Sequence, residues 1–373
     1  MMNKMMNKKL TIGVIGCGYW GPNLIRNFNS LEGSRVKIVC DKSEERLDHI
    51  SNIYPSVQTA TDAETLFNDS EIDAIAIATP VHSHFALAKK GLASGKHVFI
   101  EKPMASSTVQ CRELNCLATQ KKLTLMIGHT FIYSDPVRKI KEILDAGEIG
   151  NIYYLSSQRL NLGLYQPDIN VAWDLATHDI SVILYLFGSM PVSVSCQGKA
   201  HITPGIEDVT VISMDFSGGE FAVVTSSWLD PHKVRKMVVV GSEKMIVYDD
   251  IEPMEKIKIY DKCVKKPTEY DSYGEFPYAY HYGDVLTPYF KMSEPVRNEC
   301  LHFLECIKRE EKPLSSGKEG QAVVQILEAA SESLRRDDKK VILDELSDTS
   351  AVIQNTPTAT IMKGVSQGTV VAG

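Results

Sequence analysis

Several groups of residues in this 373-residue chain have types and spacings that can do chemistry. The first is Gly16-Cys17-Gly18-Tyr19-Trp20-Gly21. Between a strand and a helix, this spacing cradles a pyrophosphate. Gly16 allows the tight turn, Gly18 lets the main chain approach the phosphates, and Gly21 lets the helix pack close, its N-terminal amides facing the anion. The second is Asp41, roughly 20 residues past the last glycine. A carboxylate there accepts hydrogen bonds from both hydroxyls of an adenine ribose and repels a 2′-phosphate. NAD is therefore expected over NADP, although Lys42 next door weakens that preference. The alternative is that Asp41 only begins a turn. A third group is Glu101-Lys102-Pro103, where the proline stiffens the turn and fixes where the lysine points; otherwise Lys102 is a solvated charge paired with Glu101. In the fourth, Asp174 and His178 stand four apart. On a helix they share one face with Ser181 and Tyr185, opposite Ile180, Ile183, Leu184 and Phe187. The other reading makes Asp174 an N-cap and His178 a surface residue.

Elements must bring these groups together. Apolar runs predict strands at residues 10–15, 36–40, 58–60, 74–77, 97–100 and 124–127. Helical spacing falls between them at 23–31, 43–53, 63–68, 84–94 and 106–120, with starts at Ser43, Thr61-x-x-Glu64 and Ser106-Ser107. Continuous apolar strands such as Ala74-Ile75-Ala76-Ile77 indicate a parallel sheet covered on both faces. This is an α/β, doubly wound fold whose ligand lies beyond the carboxyl ends of the strands. Thr79-Pro80-Val81-His82-Ser83-His84 and Glu101-Lys102-Pro103 both come directly after parallel strands, so both are expected at the same crevice as the glycine loop.

After Asp135-Pro136 a helix at 137–146 is closed by Gly147, and the pattern changes. Strands at 151–160, 192–201, 208–216, 220–228, 236–240 and 245–249, with few helices between them, predict a mostly antiparallel sheet. Two helices return at 295–309 and 318–336. The expected organisation is a frayed N-terminus at 1–8, a dinucleotide-binding domain at 9–130 and a second domain at 131–347. Residues 348–373 are expected to be a mobile tail, with a loosely added strand as the alternative.

A hydrophobic content of 43% and a charged content of 23% describe a globular chain long enough for two domains. The net charge of −7 argues against nucleic acid or an anionic membrane surface as a main partner. Eight cysteines without a C-x-x-C pair fit a reducing compartment. With no apolar leader and no run of membrane-spanning length, the expected location is the cytoplasm. His82-Ser83-His84 forms an H-x-H, but no third and fourth ligand stand at a familiar metal spacing, so no metal is expected.

Gly16-x-Gly18-x-x-Gly21, Thr79-Pro80-x-x-x-His84, Glu101-Lys102-Pro103 and Asp174-x-x-x-His178 together resemble the glucose-fructose oxidoreductase/inositol dehydrogenase (Gfo/Idh/MocA) family in order and spacing. The resemblance runs from Leu10 to about residue 343. It implies an N-terminal Rossmann domain and a C-terminal α/β domain whose open sheet mediates a homodimer or homotetramer. It also implies hydride transfer between nicotinamide and a carbinol or ketone carbon of a sugar or polyol. By position, Lys102, Asp174 and His178 look like the catalytic set: His178 as acid/base, Lys102 on the reacting oxygen and Asp174 orienting the substrate. The glycine loop with Tyr19 and Trp20, Asp41, Thr79, Pro80, His84, Glu101 and Lys102 look like the cofactor side.

Trp173-Asp174-Leu175-Ala176-Thr177-His178-Asp179, Arg159-Leu160-Asn161 and Glu294-Pro295-Val296-Arg297-Asn298-Glu299-Cys300 resemble the sugar-nucleotide branch, although Thr177 stands where proline is more usual. That branch oxidises C3 of a sugar such as UDP-N-acetylglucosamine or its uronic acid. On this reading Arg159, Asn161 and Arg297 contact substrate, and the tyrosines between 270 and 289 stack on a base or form an oligomer interface. The alternatives are a dehydrogenase of a free polyol such as myo-inositol, and a catalytically silent dinucleotide sensor.

Overall fold

The computed structural model describes residues 9–265 and 278–343. The expected N-terminal fray, the tail at 348–373 and the tyrosines at 270 and 273 lie outside the described residues.

The first half is a six-stranded parallel sheet, ordered β3-β2-β1-β4-β5-β6. Its strands are β1 (Leu10–Ile15), β2 (Ser34–Cys40), β3 (Gln58–Ala60), β4 (Ala74–Ile77), β5 (His97–Glu101) and β6 (Leu125–Gly128). The intervening helices are α1 (Gly21–Ser30), α2 (Glu44–Ile53), α3 (Glu64–Asn68), α4 (Val81–Ala93) and α5 (Thr108–Lys121). β1 and β4 are buried throughout, as strands covered on both faces must be. Strand register sets where the chemically marked residues emerge. Ile15 pairs with Cys40 and Ile77, Ile77 with Ile100, and Glu101 with Gly128. Gly16, Asp41, Ala78, Lys102 and His129 therefore all leave the same edge of the sheet. The strand order reverses between β1 and β4, where a crevice must form.

Two of the three expected helix starts are built. Ser43 accepts from the Arg46 N–H and Ser107 from the Gln110 N–H. The Thr61 start is not: Ala63 precedes α3, and Asp62 Oδ1 accepts the Glu64 N–H instead.

A short 3₁₀ turn, Thr130–Tyr133, leads from β6 into α6 (Asp135–Asp145). Beyond it lies a nine-stranded sheet, ordered β14-β13-β12-β11-β7-β10-β9-β8-β15. It comprises β7 (Ile152–Leu162), β8 (Ser193–Lys199), β9 (Val209–Asp215), β10 (Phe221–Ser227), β11 (Leu229–Gly241), β12 (Met245–Asp249), β13 (Ile257–Lys265), β14 (Ala279–Leu286) and β15 (Val341–Ile342). Only β7 and β10 run parallel; the other neighbours are antiparallel. β11 begins seven residues before the expected 236 because a bulge between Leu229 and Val234 carries the pairing past the irregularity. β13 and β14 lie beyond the expected strands. β14 is exposed along its whole length, so it shows no buried face to give it a period.

Helix α7 (Thr177–Phe187) packs on the inner face of this sheet, and α8 (Pro295–Arg309) and α9 (Gly317–Arg335) close the molecule. The last two are expected with the second domain, yet they clamp the first. Phe303 of α8 meets Phe28 and Phe99 edge to face, at 6.1 and 5.7 Å between centroids. α9 packs on α5 and β6, close enough at Gly320 that a Cβ would lie 2.5 Å from Ile127. One core cluster consequently runs through both sheets. Among the described residues no helix is long and apolar enough to cross a membrane.

Candidate active site

The glycine loop meets the demands of its spacing. At Gly16 (φ +93°) a Cβ would stand 2.6 Å from the Ala78 carbonyl oxygen, and at Gly21 2.2 Å from that of Gly16. Neither position admits a side chain. Gly18 is different: only the Arg46 guanidinium lies within 4 Å of where its Cβ would be. α1 starts at Gly21 with no capping side chain and no acid in its first turn, leaving the positive end of its dipole open to an anion. Tyr19 beside it is 92% exposed, while Trp20 packs on the core.

Asp41 Oδ2 accepts from the Cys17 N–H at 2.8 Å and Oδ1 from the Ser43 N–H at 2.9 Å. Burial pushes this carboxyl up, but the two amides and Arg46 outweigh it and hold the group below its ordinary value. Asp41 thus opens the turn into α2 and ties the glycine loop to β2. Each oxygen keeps a lone pair for a ribose hydroxyl. An open loop at Gly18, a bare helix N-terminus and an ionised carboxylate at the end of β2 fit a dinucleotide.

His84 departs from its expected place at the cofactor. It is 1% exposed, with Nδ1 2.9 Å from the Pro103 carbonyl oxygen and Nε2 2.7 Å from that of Thr79. α4 starts at Val81, so His84 falls in its first turn and turns inward. Burial holds its pKa down against the pull of the two carbonyls. It ties the Thr79-Pro80 turn to the Lys102-Pro103 turn. With both nitrogens so occupied, His82 and His84 form no chelate. Among the described residues no group of three His, Cys, Asp or Glu can hold a metal. Thr79 borders the glycine loop, its Cγ2 2.9 Å from the place of a Gly16 Cβ.

Lys102 leaves the end of β5 and reaches the second domain. Its Nζ donates to the Asp174 carbonyl oxygen at 2.8 Å and lies 3.6 Å from Asp174 Oδ1. Trp228 Nε1 donates to Asp174 Oδ2 at 3.1 Å, fixing the carboxylate from the other side. Asp174 sits in a π turn, Ala172–Ala176, that runs straight into α7. The single α-helical face expected for Asp174 and His178 is therefore widened by an extra residue in the turn. Asp174 is not an N-cap. His178 lies edge-on to Phe131, with centroids 4.9 Å apart, and its Nδ1 is buried without a hydrogen-bond partner among the described residues. Burial drives its pKa well below the ordinary value, and Lys102, Arg159, His129 and Arg235 push the same way. All of these favour the neutral imidazole. Burial also lowers the Lys102 pKa, with Asp174 and Glu101 opposing the shift.

Of the expected substrate contacts, two have partners within the chain. Arg159 is 7% exposed and its guanidinium is committed to Asp179, Nε to Oδ2 at 2.6 Å and Nη2 to Oδ1 at 3.3 Å. The inward face of β7 carries it beneath α7, where its charge acts on Lys102 and His178. Arg297 lies on α8 and donates to Ser30 Oγ at 2.9 Å. Ser30 ends α1, nine residues or about 13 Å along the helix from Gly21. Asn161 shares the strand face of Arg159 two residues on and lies beside Trp228 and Gly163, so it stays at the crevice. A cavity of about 430 Å³ is lined by Val81, His82 and Ser106 on one side and Asn170, Trp173 and Ile206 on the other.

The sequence reading missed His129, Phe131, Asp179, Trp228 and Glu299. Phe131 carries the Arg159 guanidinium at 4.5 Å and Arg235 at 5.8 Å from its ring centroid, with His178 at its edge. His129 and Phe131 come just after a parallel strand, and the rule that brought Thr79 and Lys102 to the crevice applies to them equally.

Residues 10–129 match the family described as "Oxidoreductase family, NAD-binding Rossmann fold", and residues 137–247 match the GFO/IDH/MocA C-terminal domain. The chain is 29% identical over 245 residues to UDP-N-acetylglucosamine 3-dehydrogenase of Acidithiobacillus ferrooxidans, covering 64% of this chain and 73% of that one. It is 26% identical over 378 residues to 2,7-anhydro-N-acetylneuraminate hydratase of Mediterraneibacter gnavus, covering 91% and 98%. A solved structure of the Acidithiobacillus 3-dehydrogenase shares the fold, with a TM-score of 0.71 at 24% identity over 88% of this chain and 99% of that one. Matched through both domains, the chain belongs to the Gfo/Idh/MocA family and is an NAD-dependent oxidoreductase.

Proposed function

We propose that this chain transfers hydride between NAD and a hydroxyl-bearing ring carbon of a sugar, and that the sugar is carried on a nucleotide. The observation behind the first part is the meeting of Lys102, Asp174 and His178 across the domain crevice. Bound NAD supplies the hydride acceptor. Lys102 Nζ, held by Asp174, donates to the reacting oxygen and stabilises negative charge developing there. His178, neutral because it is buried and cations crowd it, takes the hydroxyl proton. Asp174 fixes Lys102 and is itself fixed by Trp228. Asn161 and the cavity beside Trp173 offer the substrate polar contacts and room.

The nucleotide is supported by the relative from Acidithiobacillus and by the Lys233 cation at the bulge of β11. Lys233 has no ion pair among the described residues, and the bulge adjoins Leu162 at the end of β7. A second reading, a free sugar or polyol, is favoured by the commitment of Arg159 to Asp179 and the distance of Arg297. Initial rates with NAD and a panel of UDP-sugars, dTDP-sugars and free polyols decide between them. The proposal expects kcat/KM to be highest for a nucleotide-linked sugar. A higher value for free myo-inositol overturns the nucleotide and leaves the hydride chemistry standing.

A further inference from the structure

Two carboxyl groups are buried behind Lys102, and the hydride step uses neither. Glu101 is the last residue of β5 and 8% exposed; its carboxyl lies against the Gly128 main chain, 2.8 Å from where a Cβ would be. Glu299 comes from α8, is fully buried, and accepts from Thr130 Oγ1 at 2.9 Å. One oxygen of each, Oε1 in both, is buried without a hydrogen-bond partner among the described residues. Neither carboxyl forms an ion pair within 4.0 Å there.

The surroundings hold few charges to balance two anions. From β5 comes Lys102, whose ammonium is already shared with Asp174. From the segment after β6 come Thr130, Tyr133 and a neutral His129, whose pKa burial and Lys102 lower to about 3. From the glycine loop comes the Trp20 ring, and from α8 itself the Cys300 thiol. Beyond Lys102 stand Asp174, Arg159 and His178. Two buried carboxylates facing one committed cation would leave an uncompensated charge, which a buried group avoids by keeping its proton.

We propose that Glu101 and Glu299 form a buried acid pair behind the Lys102 turn that still holds a proton at neutral pH, with Glu299 holding it as a positioning residue. Glu101 then presents a negative charge to Lys102 and helps orient the ammonium that holds the substrate oxygen. Burial raises Glu101 to about 7, and burial with the Glu101 charge raises Glu299 well above its ordinary value. The order matches the assignment: Glu101 ionises first and Glu299 stays protonated. Below neutrality Glu101 gains its proton as well, and Lys102 loses its support from that side. On this assignment the acid limb of kcat follows the loss of the Glu101 charge beside Lys102.

This inference rests on the proposed hydride chemistry for its kinetic arm and is independent of it in its spectroscopic arm. Infrared spectroscopy of the purified chain in H₂O and D₂O, at a pH about two units above the Glu101 value so that Glu101 is ionised, should show the C=O band of a buried carboxylic acid. Glu299→Gln, which keeps the shape and neutrality of the acid, should abolish that band. A band absent from the wild type, or surviving in Glu299→Gln, overturns the pair whether or not a substrate is known. In turnover, Glu299→Ala should lower neutral-pH kcat about tenfold, and Glu299→Gln should recover most of it. Glu101→Gln should remove the acid limb, whereas His178→Asn should lower the rate and leave the limb in place. A limb that disappears with His178→Asn and survives Glu101→Gln contradicts the assignment.

Discussion

Arg159 and Asp179 close a two-point ion pair, 2.6 and 3.3 Å, with side chains only 8% and 6% exposed. Ser157 Oγ donates to the same carboxylate at 2.7 Å, and Phe131 covers the guanidinium. The pair joins β7 to α7 close to His178, and the Arg159 charge is part of the field that lowers the imidazole pKa. A guanidinium that reads from the sequence as a phosphate ligand is a strut of the site.

Asp179→Ala should therefore destabilise the fold by about 3–5 kcal/mol, because it strands a buried cation. Arg159→Met with Asp179→Leu should recover most of that loss, since removing both charges leaves none unpaired. Urea unfolding of the three proteins checks this. A single-mutant cost below about 1 kcal/mol would mean the pair is solvated and of surface strength.

Asp41→Ser should weaken NAD and narrow its advantage over NADP. The carboxylate is ionised, faces the loop that takes the pyrophosphate, and opposes a 2′-phosphate. Titrating each cofactor into both proteins reads the ratio directly. A wild type that already prefers NADP would show Arg46 and Lys42 to outweigh Asp41.

Buried neutral histidines set an acid limit to stability. His129 is held to about 3 in the folded chain, against about 6.5 when unfolded. Between those values the unfolded state binds the extra proton, so stability falls as pH falls below about 6.5. His129→Asn should make that fall shallower by one proton, about 1.4 kcal/mol per pH unit. Denaturation midpoints at pH 7 and pH 5 check it. Equal slopes for wild type and variant would mean His129 gains a partner or water that the packing does not provide.

Local rules reached the first domain with little error, because its parallel strands are continuous apolar runs and its helix starts are marked by Ser43 and Ser107. They also brought Gly16, Asp41, Thr79 and Lys102 to one edge, since parallel strands all end on the same side. They failed where side-chain partners lie far apart in the chain. Arg159 needs Asp179, Arg297 needs Ser30, and His84 needs the carbonyls of Thr79 and Pro103; no spacing encodes those choices. The π turn at Ala172–Ala176 also escaped, since residues four apart read the same on paper whichever helix carries them. β14 escaped because a strand exposed throughout carries no buried face.

The central claim is that Lys102, held across the crevice by Asp174, serves the reacting oxygen and not the cofactor. Single-turnover oxidation of the best substrate, monitored by NADH absorbance with NAD affinity measured separately, tests it in one comparison. Lys102→Met should bind NAD nearly as the wild type does, because the dinucleotide is held by the Gly16–Gly21 loop and Asp41. Its rate should fall at least about 100-fold, the low end for losing a positioned electrostatic or acid/base group. A near wild-type rate would make the Glu101-Lys102-Pro103 turn structural and move the active site elsewhere.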